Sequence, residues 1–322
     1  MTTAPRAPLL VTGAHRSGTT WVGRILAAGG QMVYVNEPLN RDHRPGVFRA
    51  SVPYWYFYLH RGNEAAYLAA FRETLALRYG WGREIRALRT PRDVLRMLRD
   101  GLRWTLGRWA GRRPLLKDPF ALLSVPWLVE RLGVQAVVLV RHPAAVVASW
   151  LRLGWVVHPR QLLAQPALWE HLLTRDEHAT LTAAAATDDR LTWAAALWRA
   201  LYAAVDAYRR MPSVWVVRHE DLARNPYEGF ASLYTHLGLR FNTFTRYALS
   251  RSTHGRRGHT DPRRPHATAL DSRAAARAWR RQLTAAQIAR IRAITEPVAA
   301  RFYAAHEWEG RHDPTPLAYP GR

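Results

Sequence analysis

Leu9, Leu10, Val11 and, less strictly, Thr12 form a short apolar run that Gly13 breaks, after which Val22, Ile25 and Leu26 recur at helical spacing. The pattern predicts a buried strand, a tight glycine loop and a helix. Similar runs follow at 31–35, 114–116, 136–140 and 214–217, and 136–140 is continuous enough to suit a parallel strand covered on both faces. Between them lie helical periodicities at 121–132, at 162–210 (Trp193, Leu197, Leu201 and Val205 as core) and at 274–302. Alternating strands and helices predict an α/β fold, a P-loop-type parallel sheet flanked by helices. Residues 41–113 read as a helical insertion within a single domain spanning 1–322, with no repeat and no linker.

That insertion carries an aromatic stretch at 52–59 and then, over 92–113, an amphipathic helix. Leu95, Leu98, Leu102, Leu106 and Trp109 recur every three or four residues, and Arg92, Arg96, Arg99, Arg103 and Arg108 fall mostly on other faces. The simpler expectation packs the apolar stripe on the core with the arginines solvated opposite. A basic amphipathic helix with Trp is also the signature of an interfacial membrane segment.

The glycine loop has chemistry. From Gly13 to Thr20 the spacing is Gly-x-x-x-x-Gly-Thr-Thr, a P-loop outline with Thr19 where a nucleotide triphosphatase has its lysine. Backbone N–H groups of such a loop and the positive end of its helix both point at an anion. The strand at 136–140 ends in Arg141-His142-Pro143, with Ser149 eight residues past the arginine. Arg141 and Ser149 can grip one phosphate, by charge and by hydroxyl; the alternative is an Arg141 paired with a surface carboxylate. Residues 250–272, with Arg251, Arg256, Arg257, Arg263 and Arg264 among His and Pro breaks, read as a mobile basic loop.

Composition narrows the partners. Lys and Arg total 47 against 24 Asp and Glu, a formal charge of +23, which favours an anionic partner without choosing among nucleic acid, phosphate cofactor, acidic glycan and membrane. The absence of Cys rules out disulfides, thiolate metal sites and a cysteine nucleophile. No apolar run approaches membrane-spanning length and the first strand starts almost at the N-terminus, which predicts a cytoplasmic protein, with the inner membrane face as a peripheral option. Lys117 is the only lysine; the other 46 cations are arginine. Lysine is a compact ammonium able to follow a moving charge, whereas arginine is a planar fork, so a lone lysine at a strand's end is a candidate site residue, the alternative being chance survival of one lysine.

Three blocks in order carry a family resemblance. Arg16-Ser17-Gly18-Thr19-Thr20-Trp21 after a strand, followed by Glu37-Pro38, resembles the 5′-phosphosulfate loop of sulfotransferases that use 3′-phosphoadenosine 5′-phosphosulfate (PAPS). Leu116-Lys117-Asp118-Pro119-Phe120 is similar to a block of the tyrosylprotein sulfotransferase branch, and 137–143 with Ser149 resembles the 3′-phosphate-binding strand and helix. Residues 218–222 resemble the family's Tyr-Glu-Asp-Leu segment, with His219 replacing the aromatic.

The resemblance implies sulfuryl transfer from PAPS, leaving PAP, to a hydroxyl or amine of a small molecule, glycan or glycolipid. It implies Glu37 as base, with Asp42 and His43 as nearby competitors, and Arg16 and Lys117 as cations on the moving charge. Ser17, Gly18, Thr19 and Thr20 would hold the 5′-phosphate, Arg141 and Ser149 the 3′-phosphate, and Trp21 would lie near the adenine. No metal and no nucleic acid is expected. The rival is a P-loop kinase using ATP, for which Asp221 would have to serve Mg²⁺; it lacks a cation at position 19.

Overall fold

The computed structural model describes residues 7–253 and 276–309. Five strands, β1 (Leu9–Gly13), β2 (Met32–Asn36), β3 (Arg113–Lys117), β4 (Gln135–Val140) and β5 (Val214–Arg218), form one sheet in the order β2-β3-β1-β4-β5. Every neighbouring pair is parallel, with Leu10 opposite Leu116 on one side and Ala136 on the other. Each strand lies within a residue or two of its place in the hydrophobic pattern. Parallel strands need both faces covered, and these have them. Leu10, Leu116, Ala136, Val138 and Val140 enter the larger core, while Leu9, Val11, Leu115, Val137 and Leu139 enter the smaller one on the opposite face.

Helix α1 (Thr19–Ala28) follows β1, and α2 (Ala65–Leu75), α3 (Trp81–Arg86) and α4 (Pro91–Trp109) fill the stretch between β2 and β3. The aromatic segment before α2 has no helix or strand, but Tyr56, Phe57, Tyr58 and Leu59 are buried in the larger core. A 3₁₀ turn at Pro119–Ser124 precedes α5 (Val125–Leu132), and α6 (Pro143–Leu153) begins with its proline in the first turn. The helical stretch 160–208 is broken into α7 (Arg160–Leu163), α8 (Pro166–His171), α9 (Arg175–Ala185) and α10 (Arg190–Tyr208). Beyond β5 come α11 (His219–Arg224), α12 (Pro226–His236) and α13 (Thr243–Thr253). Leu197, Leu201 and Val205 of α10 are buried as the periodicity requires. The basic stretch expected as a mobile loop lies, beyond Thr253, outside the described residues.

One expectation is overturned. The apolar stripe of α4 does not pack on the core: Leu95 is 69% exposed, Leu106 58% and Trp109 77%, with Leu98 and Leu102 also exposed. The face turned inward carries Met97, Gly101, Trp104 and Gly107. The two glycines decide the orientation, because a Cβ at Gly107 would come within 2.1 Å of Val33 Cγ2 on β2, and one at Gly101 within 2.3 Å of the Trp81 ring. Neighbours that close accept only glycine, so the helix seats on its small residues and leaves its leucines outside. Among the described residues no helix is long and apolar enough to cross a membrane.

Candidate active site

The connections after β1 and β4 run to opposite sides of the sheet, one to β2 and the other to β5, so the crevice at their carboxyl ends is a topological switch point, where open α/β sheets bind ligands. Arg16 and Arg141 both emerge there. The β1–α1 loop reverses sharply at Gly13 (φ 145°), whose absent Cβ would sit 2.4 Å from the Leu139 carbonyl, and at Gly18 (φ 101°), packed on the His219 ring. Two far-off tyrosines tie the loop down: Tyr202 Oη accepts from the Ala14 N–H at 3.2 Å and donates to the Leu139 carbonyl, and Tyr56 Oη accepts from the His15 N–H at 3.0 Å. The Ser17 N–H donates to the Ala14 carbonyl. Helix geometry leaves the first-turn amides of Thr19, Thr20 and Trp21 without intrahelical acceptors. No side chain caps this end of α1 and its first turn holds no acid.

Arg16, Arg141 and Ser149 meet. Arg16 Nε donates to Ser149 Oγ at 3.2 Å, and Arg141 donates to the Arg16 carbonyl at 2.8 Å. Burial first, then the neighbouring charges of Arg141 and Arg152, push the Arg16 guanidinium down to about 10. Burial likewise holds Arg141 below the ordinary arginine range. Cations pressed together out of water favour an anion between them. Glu220, half-buried near Arg141, accepts from the His142 N–H at 3.0 Å and from Tyr303 Oη at 3.0 Å.

Across β3, Lys117 and Glu37 form an ion pair between the ends of neighbouring strands, where Asn36 is in register with Lys117. Lys117 is only 3% exposed; its stem runs along Gly23 of α1, where a Cβ would come within 3.1 Å of Lys117 Cγ. The other Glu37 oxygen accepts from Asn40 Nδ2 at 2.7 Å, and the Glu37 N–H donates to the Lys117 carbonyl at 2.9 Å. Asp42 is exposed, and His43 is bonded to the Asn40 carbonyl at 2.7 Å, so among the three acid–base candidates it is Glu37 that meets the lysine. Arg16 (φ 71°) and Glu37 (φ 50°) are two of the four described non-glycine residues with left-handed backbone. Such strain persists where surrounding structure imposes it, and it concentrates at functional sites.

Trp21 packs edge-on against Phe230 and His219 and donates to Ser252 Oγ at 3.0 Å, linking α1 to the end of α13. Ser17 and Thr19 are buried. Asp221 pairs with Arg218 at 3.6 Å and Arg224 at 3.8 Å, so this acid is engaged by two cations.

Two site residues escape a sequence-level reading. His15 is stacked on Trp150 at 4.4 Å, and burial pushes it down to about 4, so the ring is neutral. Its Nε2 donates to the Trp155 carbonyl at 2.8 Å, which leaves Nδ1 to accept from Tyr56 Oη at 2.6 Å. Asp118 accepts from the Leu39 N–H at 2.5 Å and the Phe120 N–H at 3.0 Å, fixing the loop after Glu37 against the end of β3. Burial and the Glu37 charge raise its carboxyl to about 7. The lone lysine beside Asp118 was the available signal for it; His15 had none.

No curated protein sequence matches this chain. Among solved structures it is similar to the sulfotransferase domain of the curacin biosynthetic pathway, at 16% identity and a TM-score of 0.49, covering 89% of this chain and 96% of that one. It is also similar to the sulfotransferase domain of the Synechococcus PCC 7002 olefin synthase (18%, 0.43, covering 93% and 98%). A sulfotransferase from Alicyclobacillus acidocaldarius follows (14%, 0.44, covering 94% and 99%). A sequence model of the sulfotransferase family matches residues 8–243, from the first strand of the sheet past the last. With that stretch holding the β1–α1 loop, the Lys117–Glu37 pair and the Arg16–Arg141–Ser149 cluster, the chain belongs to the sulfotransferase family.

Proposed function

We propose that this sulfotransferase takes its sulfuryl group from PAPS and passes it to a hydroxyl of a carbohydrate, glycolipid or small metabolite. The observation that carries the reading is the Lys117–Glu37 pair, an acid–base couple one strand away from an uncapped helix end and two mutually repelling arginines. The residues fit a donor bearing two phosphate groups. A Cβ at Gly18 would collide with His219, so the loop is held in an anion-cradling shape that a larger residue would spoil. The first-turn amides and Ser17 to Thr20 would hold the 5′-phosphosulfate, Arg141 and Ser149 the 3′-phosphate, and Trp21 the vicinity of the adenine. When bound, PAPS supplies an activated sulfuryl group.

The chain's own contribution is orientation, charge and one proton. Glu37 accepts the proton of the acceptor hydroxyl as its oxygen bonds to sulfur and the bond from sulfur to the 5′-phosphate breaks. Protonation of Glu37 releases Lys117 from its ion pair at the moment negative charge grows on the bridging oxygen. Arg16 faces the same growing charge from the loop. Preorganised cations of this kind act strongly because they are already in place and poorly solvated.

The test is thermal stabilisation by PAP without metal, run beside ATP with Mg²⁺, together with turnover of Glu37→Gln. PAP should raise the melting temperature, and Glu37→Gln should keep that response while losing at least about 10²-fold in kcat, the usual scale for a general base. Stabilisation by ATP with Mg²⁺ alone would overturn the donor assignment. A fully active Glu37→Gln would move the base elsewhere.

A further inference from the structure

The outward ridge of α4 is the largest departure from ordinary globular packing among the described residues. Successive residues of an α-helix are about 100° apart around its axis. Leu98, Trp109, Leu102, Leu95 and Leu106 therefore share an arc of about 80°, and Arg99, Arg92, Arg103 and Arg96 follow in the next arc of about 60°. All nine side chains are exposed. The helix thus shows an unbroken leucine–tryptophan ridge flanked along one side by a rail of four cations. Of its two acids, Asp93 closes the capping box with Thr90, and Asp100 bonds to Arg99 of the rail at 2.8 Å and pairs with Arg44 at 3.4 Å. The helix cannot roll to hide the ridge, because Gly107 against Val33 and Gly101 against Trp81 fix its rotation.

Charge and apolar surface together select the occupant. A second copy of this chain, itself at +23, brings like charge toward the arginine rail. Nucleic acid satisfies the arginines but offers no apolar layer to five hydrophobic side chains. The surface of an anionic bilayer offers both, phosphate at the headgroup level and hydrocarbon a few ångströms below. We propose that α4 is an in-plane docking helix for an anionic lipid surface, its ridge entering the boundary between headgroups and acyl chains while Arg92, Arg96, Arg99 and Arg103 lie among the phosphates. At 19 residues the helix lays down a contact about 28 Å long. Arg44, seven residues past Glu37, pairs with both Asp100 and Glu84, so the docking helix is joined to the loop that leaves the candidate base.

The experiment is flotation of the full chain with vesicles of phosphatidylcholine alone and of phosphatidylcholine mixed with phosphatidylglycerol. Binding should require the anionic lipid and weaken with salt. Changing Leu95, Leu98, Leu102 and Leu106 together to Ser alters no charge and should cut the partition coefficient by about 10²-fold or more. Changing Arg92, Arg96, Arg99 and Arg103 to Gln should do the same, whereas Arg160, Arg175, Arg190 and Arg210 to Gln, an equal charge change at exposed positions elsewhere, should leave most binding. The leucine and rail variants should melt with the parent, since they alter exposed side chains. Undiminished binding by the leucine variant would reduce the effect to bulk charge and overturn the proposal. So would failure of the parent to bind vesicles, whether the leucine variant then dissolves a dimer in sedimentation, melts several degrees lower because another part of this chain covers the ridge, or leaves tight oligonucleotide binding in place.

Discussion

Arg16 offers a test in which backbone and function are read from one pair of variants. Its φ of 71° costs an ordinary L-residue about 1–2 kcal/mol relative to a residue at ease in the left-handed region. Arg16→Ala and Arg16→Gly remove the same contacts, the bond to Ser149 and the packing near Trp155. They differ in whether the left-handed strain remains. Glycine also has more freedom to lose on folding, about 0.5–1 kcal/mol, so the Gly variant should exceed the Ala variant by about 1 kcal/mol. In a chain of this size that is a gap of about 2 °C in melting temperature. The ligand response should behave differently. PAP at about 100 times its Kd stabilises the parent by about 2.7 kcal/mol, and both variants, lacking the loop's cation, should lose most of that shift. The assay is differential scanning calorimetry of the three proteins with and without PAP. An Ala variant as stable as the Gly variant would refute the strain argument, and an intact PAP shift in both would remove Arg16 from the donor site.

The other predictions address the remaining site residues. Lys117→Arg should lose about 10²-fold or more in turnover, because a planar fork replaces a mobile ammonium. The larger head on a buried stem that lies against Gly23 should also cost about 1–3 kcal/mol of stability, and full activity would make the lone lysine incidental. Arg141→Ala should weaken PAP far more than adenosine 5′-phosphosulfate, since only PAP carries the 3′-phosphate; equal weakening in calorimetric titration would place Arg141 elsewhere. Burial, with Glu37, raises Asp118 from 3.8 to about 7, so the folded state binds that proton more tightly than the unfolded state does. Its stabilising share is therefore full below about pH 4 and lost as the pH rises to about 7. Melting temperature should show that slope and Asp118→Asn should flatten it; parallel curves would contradict the assignment.

The strands and the glycine loop after β1 were legible because both are local. A buried parallel strand is a run of apolar residues, and a loop that turns at positive φ against close neighbours needs glycine at fixed places. Lys117 was legible for a different reason, as the one lysine in a chain that otherwise uses arginine. The orientation of α4 was not legible, since a hydrophobic pattern gives weight to leucine and none to glycine, yet Gly101 and Gly107 make the closest contacts inward. Nor could the pattern find the hydroxyls of Tyr56 and Tyr202 on the loop amides, 41 and 188 residues away, because a bond across the fold leaves no period in the sequence.

The strand order divides the labour of the sheet. β1, β4 and β5 form one flank and deliver Arg16 and Arg141, whereas β3 and β2 form the other and deliver Lys117 and Glu37. All of the chain between β2 and β3, including α2, α3 and α4, is inserted in the second flank, yet its Tyr56 reaches across to the β1–α1 loop of the first. That stretch cannot be exchanged whole without removing the Tyr56 hydroxyl that holds the His15 amide in the β1–α1 loop. The insertion is thus part of the scaffold of the loop between β1 and α1 as well as the carrier of α4, and a chimera replacing 41–112 would keep that loop's shape only by keeping a tyrosine at position 56.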